Sequence, residues 1–171
     1  MKKQGTIRVC VNYSDFNKAY PKDNYPTPFI DHIIDNCTGI IIFSFMDGFF
    51  GYNQIKIHLV NEHNISFICP WGTFAYRKLP FGLKNVGATF QQAMSYTFHD
   101  IKDIANPHLN EISAHLDHRE FHIDHLTTIL PRCRCYNIHL NPHKCILCVQ
   151  TECLLGLIFS KDGIQNNPLK V

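Results

Sequence analysis

The chain has 171 residues, of which 45% are apolar and 18% are charged, and its formal net charge is +2. This length fits one domain with a buried core, and the composition excludes a disordered tail, a collagen-like repeat and a low-complexity linker. The small net charge neither requires nor excludes a nucleic-acid partner, because local patches of charge matter more than the total.

Strands and one helix are predicted in the first third of the chain. Alternating apolar residues predict a strand over Ile7–Tyr13, and three prolines favour an extended path over residues 18–28. Phe29–Cys37 places its apolar side chains on one helical face. Ile40–Met46 is a continuous apolar run, typical of a strand buried on both faces, and it ends at Asp47.

Three more strands and a helix follow. Alternation predicts a strand over Tyr52–Leu59, and Ile65–Cys69 and Thr73–Tyr76 predict two more strands around a turn. Apolar residues spaced three and four apart predict a helix over Ala88–Asp100 with one buried face.

The last third predicts a further helix and a final strand. Asp117 and Glu120 have the spacing of an N-cap and its capping-box partner, and Pro131 should kink or end the helix. The side chains expected to face inward are Ile123, Leu126, Leu130 and Cys133. Leu154–Ser160 predicts the final strand, followed by a turn at 161–163. Strands and helices interleave, so the class is mixed α and β.

No membrane segment or secretion signal is predicted. The richest apolar stretch, Gly39–Met46, is far shorter than the about 18–20 residues that a membrane span needs. The N-terminus MKKQGTIRVCV lacks the apolar core of a signal peptide. We therefore expect an intracellular protein of unknown compartment with no membrane partner.

Eight cysteines are many for this length. Without a secretion signal they are interpreted as free thiols or metal ligands rather than as a disulfide framework. Cys133-x-Cys135 and Cys145-x-x-Cys148 leave a Cys₄ zinc site open, although the first spacing is unusual for one. Buried apolar cysteines are the favoured interpretation.

Histidines are also numerous, eleven in all. His118, His122 and His125 fall on one face of the helix predicted in the last third of the chain. No acid completes a zinc-binding motif with them, so a solvated polar face is favoured over a metal site.

Six segments carry a pattern in their order and spacing. They are Arg8–Asn17, Phe43–Gln54, Trp71–Tyr76, Leu79–Phe90, Leu140–Cys145 and Leu154–Gly156. With these segments the chain resembles, over nearly its whole length, the reverse transcriptase of gypsy-type LTR retrotransposons, close to plant copies. The resemblance implies an α+β right-hand polymerase fold, with a palm whose antiparallel sheet packs on helices and with part of the fingers.

The resemblance also implies a domain organisation and a reaction. It implies one incomplete domain over residues 1–171, with fingers parts at about 1–40 and 60–87 and palm parts at about 41–59 and 88–171. A thumb and an RNase H region are expected to be absent. The implied reaction is template-directed nucleotidyl transfer by a Pol polyprotein, with RNA/DNA template–primer and dNTPs as partners and Mg²⁺ as cofactor.

Asp47 is the first catalytic and metal-binding residue that the resemblance implies. Such polymerases use two Mg²⁺ ions held by carboxylates, and Mg²⁺ prefers oxygen ligands. Asp47 follows a run of apolar or small residues, and the other explanation of an acid there is a turn before Gly48.

Other residues are implied to contact the nucleotide or the primer. The resemblance implies Arg8 at the triphosphate, Tyr52 beneath the sugar, and Phe81 and Gly82 beside the base. The primer-positioning residues it implies are Leu154, Leu155 and Gly156. An exposed arginine, an ordinary strand aromatic and a core strand are the purely structural alternatives.

The second acidic motif of the family departs from its pattern here. Its two aspartates correspond to Asn110 and Glu111 in the segment His108-Leu109-Asn110-Glu111. Asn110 offers a neutral amide, Glu111 is one methylene longer, and Pro107 cannot donate to a sheet ladder. Losing about 4 kcal/mol of metal stabilisation costs about 10³ in rate, so we expect little or no polymerase activity.

Three alternatives stay open. The first is a non-catalytic nucleic-acid-binding remnant, whose candidate cations are Arg8, Lys18, Lys22, Arg77, Lys78 and Lys84. The second is a small zinc module built on the cysteines. The third is an unstable fragment without function.

Overall fold

The fold is that of a computed structural model, which describes residues 10–26, 42–116, 119–154, 157–160 and 163–166. The helices of this part of the chain are α1 (Ser14–Ala19), α2 (Val86–Thr97) and α3 (Arg119–Cys135). Its strands are β1 (Ile42–Asp47), β2 (Phe67–Cys69), β3 (Gly72–Phe74), β4 (Asn106–His108), β5 (Glu111–Leu116), β6 (Ile146–Val149), β7 (Thr151–Leu154), β8 (Leu157–Ser160) and β9 (Gly163–Asn166). Short 3-10 helices cover Gly51–Gln54, Leu59–Asn61 and His63–Ile65.

The central sheet is antiparallel, with the strand order β4-β5-β1-β6. Its inner strand β1 is the predicted apolar run, and every residue from Ile42 to Met46 is buried, which confirms the strand. The β1–β5 register runs from Ile42 opposite Leu116 to Asp47 opposite Glu111. Asp47 therefore lies at the C-terminal end of the buried strand, directly opposite the first residue of β5.

Helices α2 and α3 pack against the sheet and enclose the core with it. The buried cluster comprises Met46, Phe90, Met94, Phe98, Ala105, Ile112, Ala114, Leu126, Ile129 and Cys133. Each large apolar side chain buried in this way contributes about 1.5–3 kcal/mol to folding. The helix predicted over Ala88–Asp100 is confirmed as α2, which begins two residues earlier and ends three residues earlier than the periodicity suggests.

The buried face of α3 differs from the prediction. Leu126 and Cys133 are buried as expected, but Ile123 is 51% exposed and Leu130 is 40% exposed. Their places are taken by His122 and Ile129, both fully buried. The predicted face was wrong at Ile123 and Leu130, because His122 was assigned to solvent while the fold turns it inward. The helix also continues past Pro131 to Cys135, so the proline does not end it, and a kink at the proline stays a prediction.

The strand predicted over Tyr52–Leu59 was also wrong. Phe50 and Gly51 adopt left-handed φ values of 59° and 44°, and the chain then forms a 3-10 helix over Gly51–Gln54. Only a short stretch pairs with another segment, through an isolated antiparallel bridge between Lys56 and Lys78. Positive φ values turn the chain out of the extended path that alternation requires.

Outcomes for the remaining predicted elements are mixed. Ile65–Cys69 and Thr73–Tyr76 are confirmed in part as the β2–β3 hairpin. Residues 10–13 form no strand, and α1 includes residues 18–19, which were expected to be extended. Leu154–Ser160 is not one strand, because β7 ends at Leu154 and pairs with β8 as a hairpin. Phe29–Cys37 and the Asp117 cap lie outside the described residues.

Candidate active site

Asp47 is fixed from both sides by its backbone. The carbonyl of Asp47 accepts a 2.7 Å hydrogen bond from the amide of Asn141, and the next amide, that of Gly48, donates to the Asn110 carbonyl at 2.6 Å. A Cβ at Gly48 would lie 3.2 Å from that carbonyl, so the close approach favours a glycine. The end of β1 is thus tied to the β4–β5 turn and to the segment that precedes β6.

The Asp47 carboxylate has a donor on each oxygen. Asn110 Nδ2 donates to Oδ1 at 2.8 Å, and Lys144 Nζ lies 3.3 Å from Oδ2. The Asp47 side chain is only 12% exposed, whereas Lys144 is 65% exposed. A partly buried carboxylate is stable here because an amide hydrogen bond and an ammonium charge compensate for its lost hydration.

Glu111 is the second carboxylate of this cluster and pairs directly across the ladder from Asp47. Burial raises the pKa of the Glu111 carboxyl, and the negative charge of Asp47 raises it further. His108 and Lys144 act on that pKa in the opposite direction. Two carboxylates at neighbouring positions repel each other, and the environment of Glu111 resists its ionisation.

Gln91 supports the turn that carries Asn110, and the sequence analysis missed it. Its side chain is fully buried, its Nε2 donates to the Pro107 carbonyl at 3.0 Å, and its Oε1 accepts from the Leu109 amide at 2.7 Å. The proline was expected to damage this hairpin, yet β4 forms at the sheet edge, where a proline is tolerated. A polar residue on the apolar face of α2 was the available signal.

Gln54 is a second residue that the sequence analysis missed. Its Nε2 donates to the carbonyls of Phe49 and His139 at 2.7 and 3.0 Å, and its Oε1 accepts from the His139 amide at 2.6 Å. One side chain thereby joins the turn after Asp47 to the segment that leads to Lys144. Nothing in the sequence pattern around Gln54 indicates this partner, which is distant along the chain.

Three of the predicted nucleotide-site residues lie in contact or in adjoining segments. The Tyr52 ring packs edge-on against Phe81 at a centroid distance of 5.7 Å, and against Phe90 at 5.3 Å. Gly82 has a φ of 99°, which only glycine adopts without strain. Tyr52 therefore joins the turn after Asp47 to the turn at Phe81 and Gly82 and to helix α2.

Among the other predicted site residues, the structure describes only Leu154. Arg8, Leu155 and Gly156 lie outside the described residues. Leu154 is the last residue of β7, in the separate antiparallel sheet of order β7-β8-β9. The roles of these residues stay predictions.

The donor set does not fit the pair of Mg²⁺ ions that the resemblance implies. Asp47 presents its two oxygens to the Asn110 amide and the Lys144 ammonium, and Glu111 has a raised pKa beside it. In the part of the chain that the structure describes, no three His, Cys, Asp or Glu side chains converge on a position for a metal ion. Two ions need several oxygen ligands, and a lysine already supplies positive charge here.

The cysteines and histidines form no metal centre within the described ranges either. Cys133 is buried in the core, and burial raises the pKa of its thiol to about 11. Cys135 is exposed to solvent. His122, predicted to lie on a solvated face, is fully buried, and its Nε2 lies 2.7 Å from the Ser44 hydroxyl.

Comparison with known proteins decides the family. A family-wide sequence profile described as reverse transcriptase (RNA-dependent DNA polymerase) matches residues 1–159. The chain belongs to the reverse transcriptase family. In this reverse transcriptase domain, Asp47 at the end of β1 lies beside the turn at Asn110, which joins β4 to β5.

Curated relatives of this reverse transcriptase domain are retrotransposon polyproteins. The Tf2-3 and Tf2-4 transposon polyproteins of Schizosaccharomyces pombe are each 29% identical over 163 residues, which is 95% of this chain. The chain spans 12% of the length of each of those relatives.

Solved structures show that this reverse transcriptase domain has the palm-and-fingers fold. The foamy viral protease-reverse transcriptase in complex with an RNA/DNA hybrid is similar at a TM-score of 0.85 and 17% identity, covering 95% of this chain and 22% of that one. A second foamy viral structure, with double-stranded DNA, gives a TM-score of 0.86 at the same identity, covering 95% of this chain and 28% of that one.

No helix of the described ranges is long and apolar enough to cross a membrane.

Proposed function

We propose that this chain is the reverse transcriptase domain of a gypsy-type retrotransposon Pol polyprotein, close to plant copies, and that its nucleotidyl transfer is impaired. The six ordered motifs and the retrotransposon relatives support the element type. The reaction class is RNA-templated DNA synthesis from dNTPs on a template–primer. Foamy viral relatives of the same fold, solved with an RNA/DNA hybrid and with double-stranded DNA, support nucleic acid as the partner.

The observation that carries the impairment is the hydrogen bond from Asn110 Nδ2 to Asp47 Oδ1. An aspartate at position 110 would add a second carboxylate beside Asp47, and the pair would favour a divalent cation between them. The asparagine instead donates an N–H to Asp47 and contributes no charge. Metal stabilisation of the transition state is worth several kcal/mol, so its loss reduces the rate by orders of magnitude.

The proposal also assigns the other residues of the nucleotide site. We assign Tyr52 to the floor beneath the incoming sugar, since its ring is held in place by Phe81 and Phe90. Phe81 and Gly82 form the turn beside the base, and the positive φ of Gly82 sets that turn. Arg8 at the triphosphate, and Leu154, Leu155 and Gly156 at the primer end, complete the proposal. The chain would bind substrates without turning them over efficiently.

Primer extension on an RNA template with dNTPs and Mg²⁺ tests this proposal. We compare the native chain with a double variant that carries Asn110→Asp and Glu111→Asp. The double variant is expected to extend the primer about 10³-fold faster, the ratio that corresponds to about 4 kcal/mol. A matched control adds Asp47→Asn to the double variant and should abolish extension again.

Two outcomes contradict the proposal. Extension by the native chain at the rate of the double variant would show that Asn110 does not limit the reaction. The double variant could also fail to extend the primer while a cooperative melting curve shows that it is folded. That result would locate the defect outside Asn110 and Glu111.

Nucleic-acid binding without catalysis is a second candidate function. It is favoured by a difference in how the surface cations are paired. Lys18 pairs with Asp15 at 3.0 Å, and Lys84 Nζ donates to the Tyr20 carbonyl at 2.9 Å. By contrast, Arg77 and Lys78 are exposed and have no ion pair within the described ranges. Binding that weakens steeply with salt, without primer extension, would support this function.

A further inference from the structure

The β2–β3 hairpin exposes an unusual amount of apolar surface. Ile68 and Trp71 are each 85% exposed, and Phe74 is 49% exposed. Single exposed apolar residues are ordinary, but Ile68 and Trp71 lie only three positions apart on one short hairpin and both expose most of their surface. Trp71 lies at the tip, in the turn between the two strands.

The hairpin is braced from its other face, so the tip is presented by an ordered base. Side chains alternate along a strand, which places Phe67 and Ile68 on opposite faces. Phe67 stacks on Phe74 at 6.3 Å and packs against Tyr76 at 5.4 Å. A ring held on an ordered support loses little conformational freedom when it stacks on a ligand.

Cations lie immediately beyond the hairpin. Lys56 and Lys78 face each other across an antiparallel bridge, and Arg77 lies between Lys78 and the β3 strand. All three are exposed, and none forms an ion pair in the described part of the chain. Like charges directly opposite each other are destabilising, so this pair favours a bound polyanion.

We propose that the β2–β3 hairpin and the adjoining cations bind single-stranded nucleic acid, with an unpaired base stacked on Trp71 and the backbone phosphates on Lys56, Arg77 and Lys78. Exposed aromatic rings beside a line of cations are the combination that binds single strands. Duplex bases hide their faces inside the stack, so an unpaired strand is the form that Trp71 accepts. The inference takes only its partner class from the proposed function and requires no polymerase chemistry.

Trp71 is the single tryptophan of the chain, so its fluorescence reports on this site alone. Titration with oligo(dT), without dNTPs or divalent ions, should quench the emission in a saturable manner, and added salt should reverse it. Hairpin-free duplex DNA of equal length should quench it far less. Fluorescence anisotropy of labelled oligo(dT) then measures the affinity itself.

Two pairs of variants separate this site from general binding. Trp71→Ala should weaken binding about tenfold, which corresponds to about 1.4 kcal/mol and lies within the range for one stacked base. Tyr96→Ala removes another exposed ring, 69% exposed, and should leave the affinity unchanged. Lys56→Ala should lower the slope of log affinity against log salt by about 0.7. Lys102 is an exposed lysine outside the proposed binding surface, so Lys102→Ala should leave that slope unchanged.

Several results would overturn the inference. Binding of oligo(dT) without quenching, or an unchanged affinity in Trp71→Ala, would place the strand elsewhere. A self-associating chain that becomes monomeric in Trp71→Ala and ignores oligo(dT) would make the hairpin an interface between two copies. The double variant Asn110→Asp, Glu111→Asp should bind oligo(dT) as the native chain does, so failure here is distinct from failure of the proposed polymerase function.

Discussion

Asn110 and Asp47 meet side chain to side chain, with the asparagine Nδ2 donating to the aspartate Oδ1 at 2.8 Å. The contact joins the turn between β4 and β5 to the end of β1. Lys144 completes the arrangement at 3.3 Å from the other aspartate oxygen. The charge of Asp47 is therefore balanced by neighbouring side chains of the chain itself.

Asn110→Asp should destabilise the fold in the absence of divalent ions. The change removes a hydrogen bond to a charged group, worth about 1.5–3 kcal/mol, and adds a like charge beside Asp47. Urea unfolding with a chelator measures the loss. Millimolar Mg²⁺ should restore part of it, because an ion that binds only the folded state stabilises that state.

Asn64→Asp is the matched control for that experiment, since it adds the same charge at an exposed position. It should change the free energy of unfolding by less than about 0.5 kcal/mol, with or without Mg²⁺. An equal loss in both variants would mean that the Asn110–Asp47 contact contributes nothing specific.

Glu111→Gln should stabilise the chain at neutral pH. Burial and the Asp47 charge raise the pKa of Glu111 in the folded state, so the folded chain holds its proton at pH values where the unfolded chain releases it. Stability consequently falls as pH rises from the ordinary glutamate pKa through the raised value. The gain from the variant should vanish below about pH 4, where the Glu111 carboxyl is protonated in both the folded and the unfolded chain.

Asp100→Asn should change the stability at neutral pH in the opposite direction. A hydrogen bond from Arg132 lowers the pKa of Asp100, so this carboxylate stabilises the fold above the ordinary pKa and loses its effect as pH falls. Its replacement should destabilise at neutral pH and matter little in acid. Unfolding curves of both variants across pH 3–8 test the pair, and a Glu111→Gln variant that is less stable than the native chain at pH 7 would refute the assignment.

Ser44→Ala should be costly although it removes one oxygen atom. The β6 strand advances three residues, from Ile146 to Val149, while β1 advances two, and Cys148 takes a left-handed φ of 57° in this bulge. The Ser44 hydroxyl accepts the Cys148 amide at 3.0 Å and lies 2.7 Å from His122 Nε2. Removing it leaves the part-buried Cys148 amide without that acceptor, at a cost of about 1–3 kcal/mol.

Ser113→Ala is the comparison, because Ser113 is also buried on the sheet. Its hydroxyl makes only a long 3.3 Å hydrogen bond to the Asn106 carbonyl. The expected loss is about 0.5–1 kcal/mol, measured by chemical denaturation. Equal losses would mean that Ser44 does not repair the bulge.

The parts of the fold that sequence predicts are those where one local signal dominates. A run of apolar residues specifies β1, and spacing of three and four residues specifies α2, because burial of apolar surface drives both. The buried face of α3 was predicted only in part, because His122 has its partner Ser44 on β1, 78 residues away. Alternation after Tyr52 was misleading because the left-handed turn at Phe50 and Gly51 redirects the chain.

The candidate site divides in the same way. The position of Asp47 and the turn at Asn110 follow from motifs that are contiguous in sequence, and the structure places both at one sheet end. Lys144, Gln91 and Gln54 reach the site from other segments. Their roles depend on hydrogen bonds and ion pairs between distant residues, which a single sequence without its fold does not display.

Gly48→Ala should distort the site through a backbone clash rather than through lost chemistry. The added Cβ would stand 3.2 Å from the Asn110 carbonyl and 3.4 Å from Gln54 Nε2, and the carbonyl cannot yield without moving the turn. We expect a loss of about 1–3 kcal/mol, typical of overpacking. Gly87→Ala is the matched control, since nothing lies within 4 Å of its Cβ position in α2, and it should stabilise by about 0.5–1 kcal/mol. Thermal melting of both variants measures the difference. A neutral Gly48→Ala would show that the β4–β5 turn can move away from Asp47, and the tight coupling of Asn110 to the end of β1 would then be wrong.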